Sequence, residues 1–177
     1  MRVTTRSKRQ VWGARLACAG VTTAVALCIA ASPASAAREP GPPSNEGVQP
    51  VEYDGHPTCE DILGEGAFTF DFEQQPVNDG TFTFDPPNDN GSITLDVHGP
   101  STAQLVDFTI NGPYAARGII VVGGSSSNFY SYGAPDFPTG IKSDADLHAP
   151  VKNNPIGFDN PTHLHVCGIP SKYGSTS

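Results

Sequence analysis

The chain has 177 residues and a formal charge of −8, with 10 lysines and arginines against 18 aspartates and glutamates. A surface this acidic repels phosphate backbones and anionic lipid headgroups, so nucleic acid is excluded as an expected partner. The length suits one domain with short flanking segments.

Residues 1–36 have the order of an export signal. Basic residues come first, an apolar run covers 16–31, and a small-residue tripeptide ends at Ala36. A transmembrane helix is the alternative, but the run is short for the ~20 residues that a span needs. Cleavage after Ala36 would remove five of the 10 basic residues and none of the 18 acidic ones, giving a formal charge of −13. We expect a secreted, extracellular protein with no membrane anchor in the mature chain.

Four cysteines are present, and two of them, Cys18 and Cys28, would leave with the signal. The remaining pair, Cys59 and Cys167, would meet an oxidising compartment outside the cell. A single pair has one possible connection. The sequence therefore predicts one Cys59–Cys167 disulfide, and two separate free thiols are the alternative.

Composition divides the expected mature chain into three parts. Residues 37–57 are rich in proline and poor in apolar residues, which predicts an extended, mobile and disordered leader. Residues 58–170 carry the strand signals and form the predicted domain. Residues 171–177 form a short polar tail.

Seven runs have the composition or the period-two alternation of β-strands, and no segment of helical length shows a sustained 3.6-residue period. These runs are 68–72, 81–85, 92–97, 106–110, 119–122, 128–132 and 163–167. We expect the first three to form a meander, and 119–122, which is apolar throughout, to be a central strand buried on both faces. The stretch 133–161 is rich in proline and glycine and predicts a long loop. The fold class that follows is all-β, an antiparallel two-sheet sandwich of immunoglobulin-like or jelly-roll-like type, with a small β-barrel as the alternative.

Several pieces of the chain resemble one uncharacterised extracellular all-β domain of bacterial and archaeal secreted and surface proteins. The matching pieces are Pro57-Thr58-Cys59, 120–124 (IVVGG), 128–132 (NFYSY), 147–153 (LHAPVKN), and His163 four residues before Cys167. The resemblance implies an extracellular module with a conserved cysteine pair. His165 stands where a small polar residue is more usual in that domain, so the resemblance assigns no shared role to it.

His163 and His165 form the sharpest candidate site. Alternation along a strand places both imidazoles on one face, where they could bind zinc or copper with a third ligand. His148, His98 and Asp146 are the candidate third ligands. The alternative is that one histidine bonds the backbone while the other is solvated. We expect no cofactor, with zinc or copper only if this site binds metal.

Tyr130, Tyr132 and Tyr114 are candidate contact residues, because exposed tyrosines on a rigid sheet offer large contact area at low entropic cost. His148 completes this candidate binding set. In the alternative arrangement, Phe129 points inward and the tyrosines cover a sheet edge.

No catalytic residue is predicted, since Gly123-Gly124 and the serines after them lack the lysine of a phosphate-binding loop and the spacing of a nucleophile elbow. We therefore expect a secreted binding or structural module rather than an enzyme, associated with the cell surface or the extracellular matrix, with an extracellular protein or polysaccharide as its partner. A small metal-binding protein or metal-dependent enzyme that uses His163 and His165 is the first alternative. A self-associating coat protein is the second.

Overall fold

The computed structural model describes residues 40–65, 67–71, 77–84, 91–153 and 156–169. The predicted signal over 1–36 and the predicted tail over 171–177 lie outside these residues. Within the described part of the chain, no helix is long and apolar enough to cross a membrane.

Two antiparallel sheets form the body of the domain. The five-stranded sheet has the spatial order β1 (Val51–Asp54), β7 (Ser126–Ser131), β6 (Ala115–Gly123), β11 (His163–Ile169), β2 (Phe68–Asp71). The four-stranded sheet has the order β3 (Gly80–Thr83), β4 (Ser92–His98), β5 (Leu105–Asn111), β8 (Ser143–His148). A short helix and a two-stranded hairpin complete the described elements: α1 (Cys59–Leu63), β9 (Val151–Asn153) and β10 (Ile156–Phe158).

The predicted two-sheet antiparallel sandwich is confirmed. Neither sheet closes on itself, so the barrel alternative is wrong. Each of the seven predicted runs overlaps a strand, because each carries an alternation or an apolar stretch that a sheet can bury.

The central strand of the five-stranded sheet is β6, as its continuous apolar run predicts. Ile119 and Val121 point into the core between the two sheets, whereas Ile120 and Val122 point to the opposite face. All four side chains are 0 % exposed. Burial on both faces explains why this strand shows no alternation of apolar and polar residues.

The sandwich core lies between the sheets. Alternate residues of β4 and β5 enter it from the four-stranded sheet, where they meet the inward residues of β6, β7 and β11. Its members include Ile93, Leu95, Val106, Phe108, Ile110, Ile119, Val121, Tyr130, Leu164 and Val166. The outward positions of β4 and β5 carry mostly polar side chains, so this sheet has one apolar face and one polar face.

A second, smaller cluster covers the other face of the five-stranded sheet. We call it the outer core, and it consists of Cys59, Ile120, Val122, Phe129 and Cys167. The partly buried side chains of Tyr53, Ile62 and Ala67 pack against it. The segment around α1 therefore forms a third layer over part of this sheet.

The prediction of a mobile leader over 37–57 is wrong for residues 40–57. Asn45 N donates to Ala145 O at 2.9 Å, and Glu46 N donates to an Asp144 carboxylate oxygen at 3.0 Å, which ties this segment to β8. Further along, β1 pairs with β7. The segment thus contacts β8, an edge strand of the four-stranded sheet, and supplies β1, an edge strand of the five-stranded sheet. Its prolines fit because none of them lies within β1, where a ladder hydrogen bond would need an N–H group.

Two other expectations about connectivity are wrong. The first three strand runs do not form a meander, because β2 pairs with β11 in the five-stranded sheet while β3 pairs with β4 in the other. The stretch 133–161 is not one long loop, since it contains β8, β9 and β10. Strand β8 is an edge strand with one buried aspartate, Asp144, and one exposed aspartate, Asp146, so its sequence lacks the apolar alternation of the other strands.

We expect Ile120→Ala to destabilise the fold by about 2–5 kcal/mol, as Ile119→Ala does, because both side chains lie in closed cores and each truncation leaves a cavity. Equilibrium urea unfolding measures both variants. Thr83→Ala, at an exposed position of β3, is the control and changes the free energy of unfolding by less than about 0.5 kcal/mol. A loss below about 1 kcal/mol for Ile120→Ala alone would show that the outer core contributes little.

Candidate functional site

The predicted disulfide is confirmed. Cys59 begins α1 and Cys167 lies in β11, with Cα atoms 5.4 Å apart and both residues 0 % exposed. The position of Cys59 is set by a capping box, in which Asp61 N donates to Thr58 Oγ1 at 3.2 Å and Thr58 N donates to Asp61 Oδ2 at 2.8 Å. The hydrogen bonds that Thr58 N and Thr58 Oγ1 donate to Asp61 Oδ2, each at 2.8 Å, hold the pKa of the Asp61 carboxyl below its usual value.

His163 and His165 lie on one face of β11, as alternation predicts. Their rings are nearly parallel, at 4°, with centroids 6.5 Å apart. They stand opposite Val122 and Ile120, so they belong to the face that carries the outer core. The ring of His56 lies 6.0 Å from that of His163. His56 is not among the predicted site residues, because it falls in the segment that we expected to be disordered.

His148 does not join this pair. It is 0 % exposed, with Nδ1 2.8 Å from Ala149 O and Nε2 3.0 Å from Pro42 O. Asn128 Nδ2 donates to His148 O at 3.0 Å, and the imidazole stacks on Phe158 with centroids 4.1 Å apart. His148 is therefore a structural residue, and the predictions that it contacts a partner or completes the metal site are wrong.

The three tyrosines do not form an exposed surface. Tyr130 and Tyr132 are 0 % exposed and Tyr114 is 7 % exposed. Tyr130 Oη accepts from His148 N at 2.9 Å, and Tyr132 Oη donates to Asp144 Oδ2 at 2.8 Å. Burial raises the pKa of both hydroxyls. The prediction of a tyrosine contact surface is wrong, because all three side chains lie in the core between the sheets and the Tyr130 and Tyr132 hydroxyls bond inside the fold.

His98 and Asp146, the other candidate third ligands, lie on the four-stranded sheet and do not complete a site with His163 and His165. Instead they meet Asp107. One ligand atom from each of His98, Asp107 and Asp146 lies within 4.8 Å of the other two, and His98 Nε2 is 3.0 Å from Asp107 Oδ1. Among the residues that the structure describes, this is the one such group of three or more. We call it the His98 triad.

Three neighbouring strands, β4, β5 and β8, build the triad. The pairing of β5 with β8 shifts register between Val106 and Phe108, which indicates a β-bulge opposite Asp107. Asp146 lies in this bulge with φ of 62°, in the left-handed region that aspartate tolerates better than most residues. Asp146 N donates to Asp107 Oδ1 at 2.8 Å, so the bulge fixes the two aspartates relative to each other.

A polar depression adjoins the triad near the bulge between β5 and β8. It has a volume of about 220 Å³ and shares Asp107 with the triad. Its other lining residues come from β5, β8 and the segment before β1: Asn45, Glu46, Phe108, Thr109, Ser143, Asp144 and Ala145.

The triad lies on a polar surface that we call the open face, the outward side of the four-stranded sheet. Its members include Thr81, Thr94, Asp96, His98, Asp107, Thr109, Asn111 and Asp146. Asp96 stands directly across from Asp107. The hydrogen bond with Asp107 raises the pKa of His98 and is the largest effect. Burial, the second largest, lowers the pKa, and the charges of Asp107, Asp96 and Asp146 each raise it by less.

No family model, curated protein or solved structure matches this chain. The resemblance to an extracellular domain of bacteria and archaea, noted from the sequence, therefore stays a prediction.

We expect the His98 imidazole to titrate above 6.5, and Asp107→Asn to lower its pKa, because the neutral amide no longer favours the imidazolium. A pKa raised in the folded state means that the pair stabilises the fold below the unfolded pKa, and that this contribution is lost as pH rises through the folded pKa. NMR titration of the ring protons measures the pKa. An unchanged value in Asp107→Asn would contradict the pairing, and Asp61→Asn, on α1, is the control.

Proposed function

We propose that this chain is exported and acts outside the cell as a disulfide-clamped β-sandwich that binds an extracellular protein or polysaccharide. The observation that carries the proposal is the buried Cys59–Cys167 disulfide, which links residues 108 positions apart. Disulfides form and persist in oxidising compartments and are rare in the cytosol. The basic and apolar order of residues 1–36 supports the same compartment.

The outer faces of the two sheets differ in how much of their surface is accessible to a binding partner. The five-stranded sheet carries the outer core, and α1 with its neighbouring residues packs over it. The four-stranded sheet carries the open face, with no comparable apolar cluster among its described outward residues. The open face is therefore the surface that we assign to partner binding.

The open face is suited to hydrogen-bonded contacts. Thr81 and Thr94 hydroxyls lie 3.0 Å apart, and Asn111 Nδ2 donates to the hydroxyls of Ser92 and Thr94 at 3.4 Å each. Side chains held by one another lose less conformational entropy when a partner orders them. Hydroxyl, amide and carboxylate groups on a rigid sheet match the donors of a polysaccharide or of a polar protein surface.

The two alternatives stay predictions. His163 and His165 are placed side by side, which supports the zinc or copper alternative, but their expected third ligands lie elsewhere. A coat protein would self-associate through sheet edges, and β3 and β8 are the edge strands of the four-stranded sheet.

We expect the chain recovered from the medium to begin after Ala36 and to be two hydrogen masses lighter than its reduced form. The Cys59→Ser/Cys167→Ser double variant should lose stability on the order of 4.7 kcal/mol, the value for a closed loop of about 100 residues. Intact mass before and after reductant, and urea unfolding, measure these effects. Retention of the chain inside the cell, or two free thiols in the exported protein, would contradict the proposal.

We further propose that the partner lies on the producer's cell surface. Thr109→Arg should then shift the protein from the cell surface to the medium, because an arginine at an exposed position of β5 blocks the open face. Ser131→Arg is the matched control, since it adds the same side chain at an exposed position of β7 in the other sheet. Quantitative immunoblots of cell-surface and medium fractions compare the two. Equal retention of both variants would show that the open face is not the contact surface.

A further inference from the structure

We propose that the His98 triad is a binding site for one divalent transition-metal ion, for which Zn²⁺ is a suitable probe. The proposal goes beyond the proposed function and does not rest on it. It also differs from the metal site expected at His163 and His165, because it uses other residues on the opposite sheet.

The geometry needs little adjustment to hold an ion. The three ligand atoms already lie within 4.8 Å of one another, and the His98 Nε2 to Asp107 Oδ1 distance is 3.0 Å. Zinc bonds of about 2.0–2.2 Å in a tetrahedral arrangement place two ligand atoms roughly 3.3 Å apart. Side-chain rotation can close the remaining gap. The backbone is already positioned, because the Asp146 N to Asp107 Oδ1 hydrogen bond fixes the bulge.

The donor set selects the kind of ion. One imidazole nitrogen with two carboxylates suits zinc and similar first-row ions, whereas calcium and magnesium prefer oxygen ligands alone. Three protein ligands leave further coordination positions for water or for an oxygen atom of a partner. Because Asp107 also lines the polar depression of about 220 Å³, such an external ligand has space beside the triad.

The charge around the triad also favours a cation. Asp96 stands across from Asp107 in the ladder, and like charges in that position destabilise a strand pair. The described lysines and arginines are engaged elsewhere: Arg117 donates to Phe137 O, Lys142 donates to Gly112 O, and Lys152 pairs with Asp159. In the described part of the chain, His98 is thus the one basic side chain paired with these carboxylates. A bound divalent ion would balance the excess charge.

Calorimetric titration of the metal-stripped, tag-free chain with Zn²⁺ tests the proposal. We expect one ion per chain, with affinity reduced at least about tenfold by His98→Gln and by Asp146→Asn. Asp96→Asn is the matched control: it removes the same charge from the same face without removing a triad ligand, and it should change the affinity less than about threefold. Circular dichroism and thermal unfolding confirm that each variant is folded.

Three results would overturn the proposal. The first is the absence of binding by the folded wild-type chain at micromolar Zn²⁺. The second is an equal loss of affinity in Asp96→Asn and Asp146→Asn, which would show diffuse attraction by the acidic face. The third is binding that survives His98→Gln and is abolished by His163→Gln/His165→Gln, which would place the ion on the other sheet. NMR adds a direct readout, because Zn²⁺ should shift the ring resonances of His98 and leave those of His163 and His165 unchanged.

Discussion

The fold depends on one constraint, the burial of the apolar run 119–122 on both faces of its strand. Alternate side chains of a strand point to opposite faces, so this run needs apolar contacts on both sides of its sheet. The four-stranded sheet supplies one side and the segment around α1 supplies the other. The disulfide lies in the second contact, where it ties that covering segment to the neighbouring strand β11. This arrangement explains why the domain has layers on both sides of the five-stranded sheet. It also explains why the outward side of the four-stranded sheet, the open face, has no comparable apolar cluster among its described residues.

Local patterns predicted the strands but not their partners. Alternation identified β4 and β5, and the apolar run identified β6 as central. The pairing of β2 with β11 was not predictable from local patterns. Several strands show the same alternation, and which of them pair depends on contacts between residues far apart in sequence. Strands β1 and β8 were missed because edge strands with acidic residues carry little apolar signal. They are held by backbone hydrogen bonds to β7 and β5, and the local sequence does not reveal these pairings.

The sites follow the same division. Alternation was enough to place His163 and His165 on one face, since both lie in a single strand. The His98 triad depends on two strand pairings and a bulge, none of which can be read from the local sequence. His98 and Asp146 were therefore predicted as candidate ligands, but their proximity to Asp107 was not predicted. The tyrosines were misplaced for another reason. An amphipathic residue can be exposed or can bury its hydroxyl with a partner, and the partner of Tyr132, Asp144, lies in a stretch that we expected to be a loop.

Strand β1 covers a sheet edge that could otherwise pair with another molecule. It occupies the edge of β7, and without it that strand would present a row of unpaired amide and carbonyl groups. Proteolytic clipping ahead of the helix would therefore turn the domain into a strand acceptor, able to take up the corresponding segment of another molecule. Glu52 and Asp54 give the intact edge a negative charge that repels its own copies. In the intact chain, the short acidic strand β1 therefore occupies the pairing edge of β7.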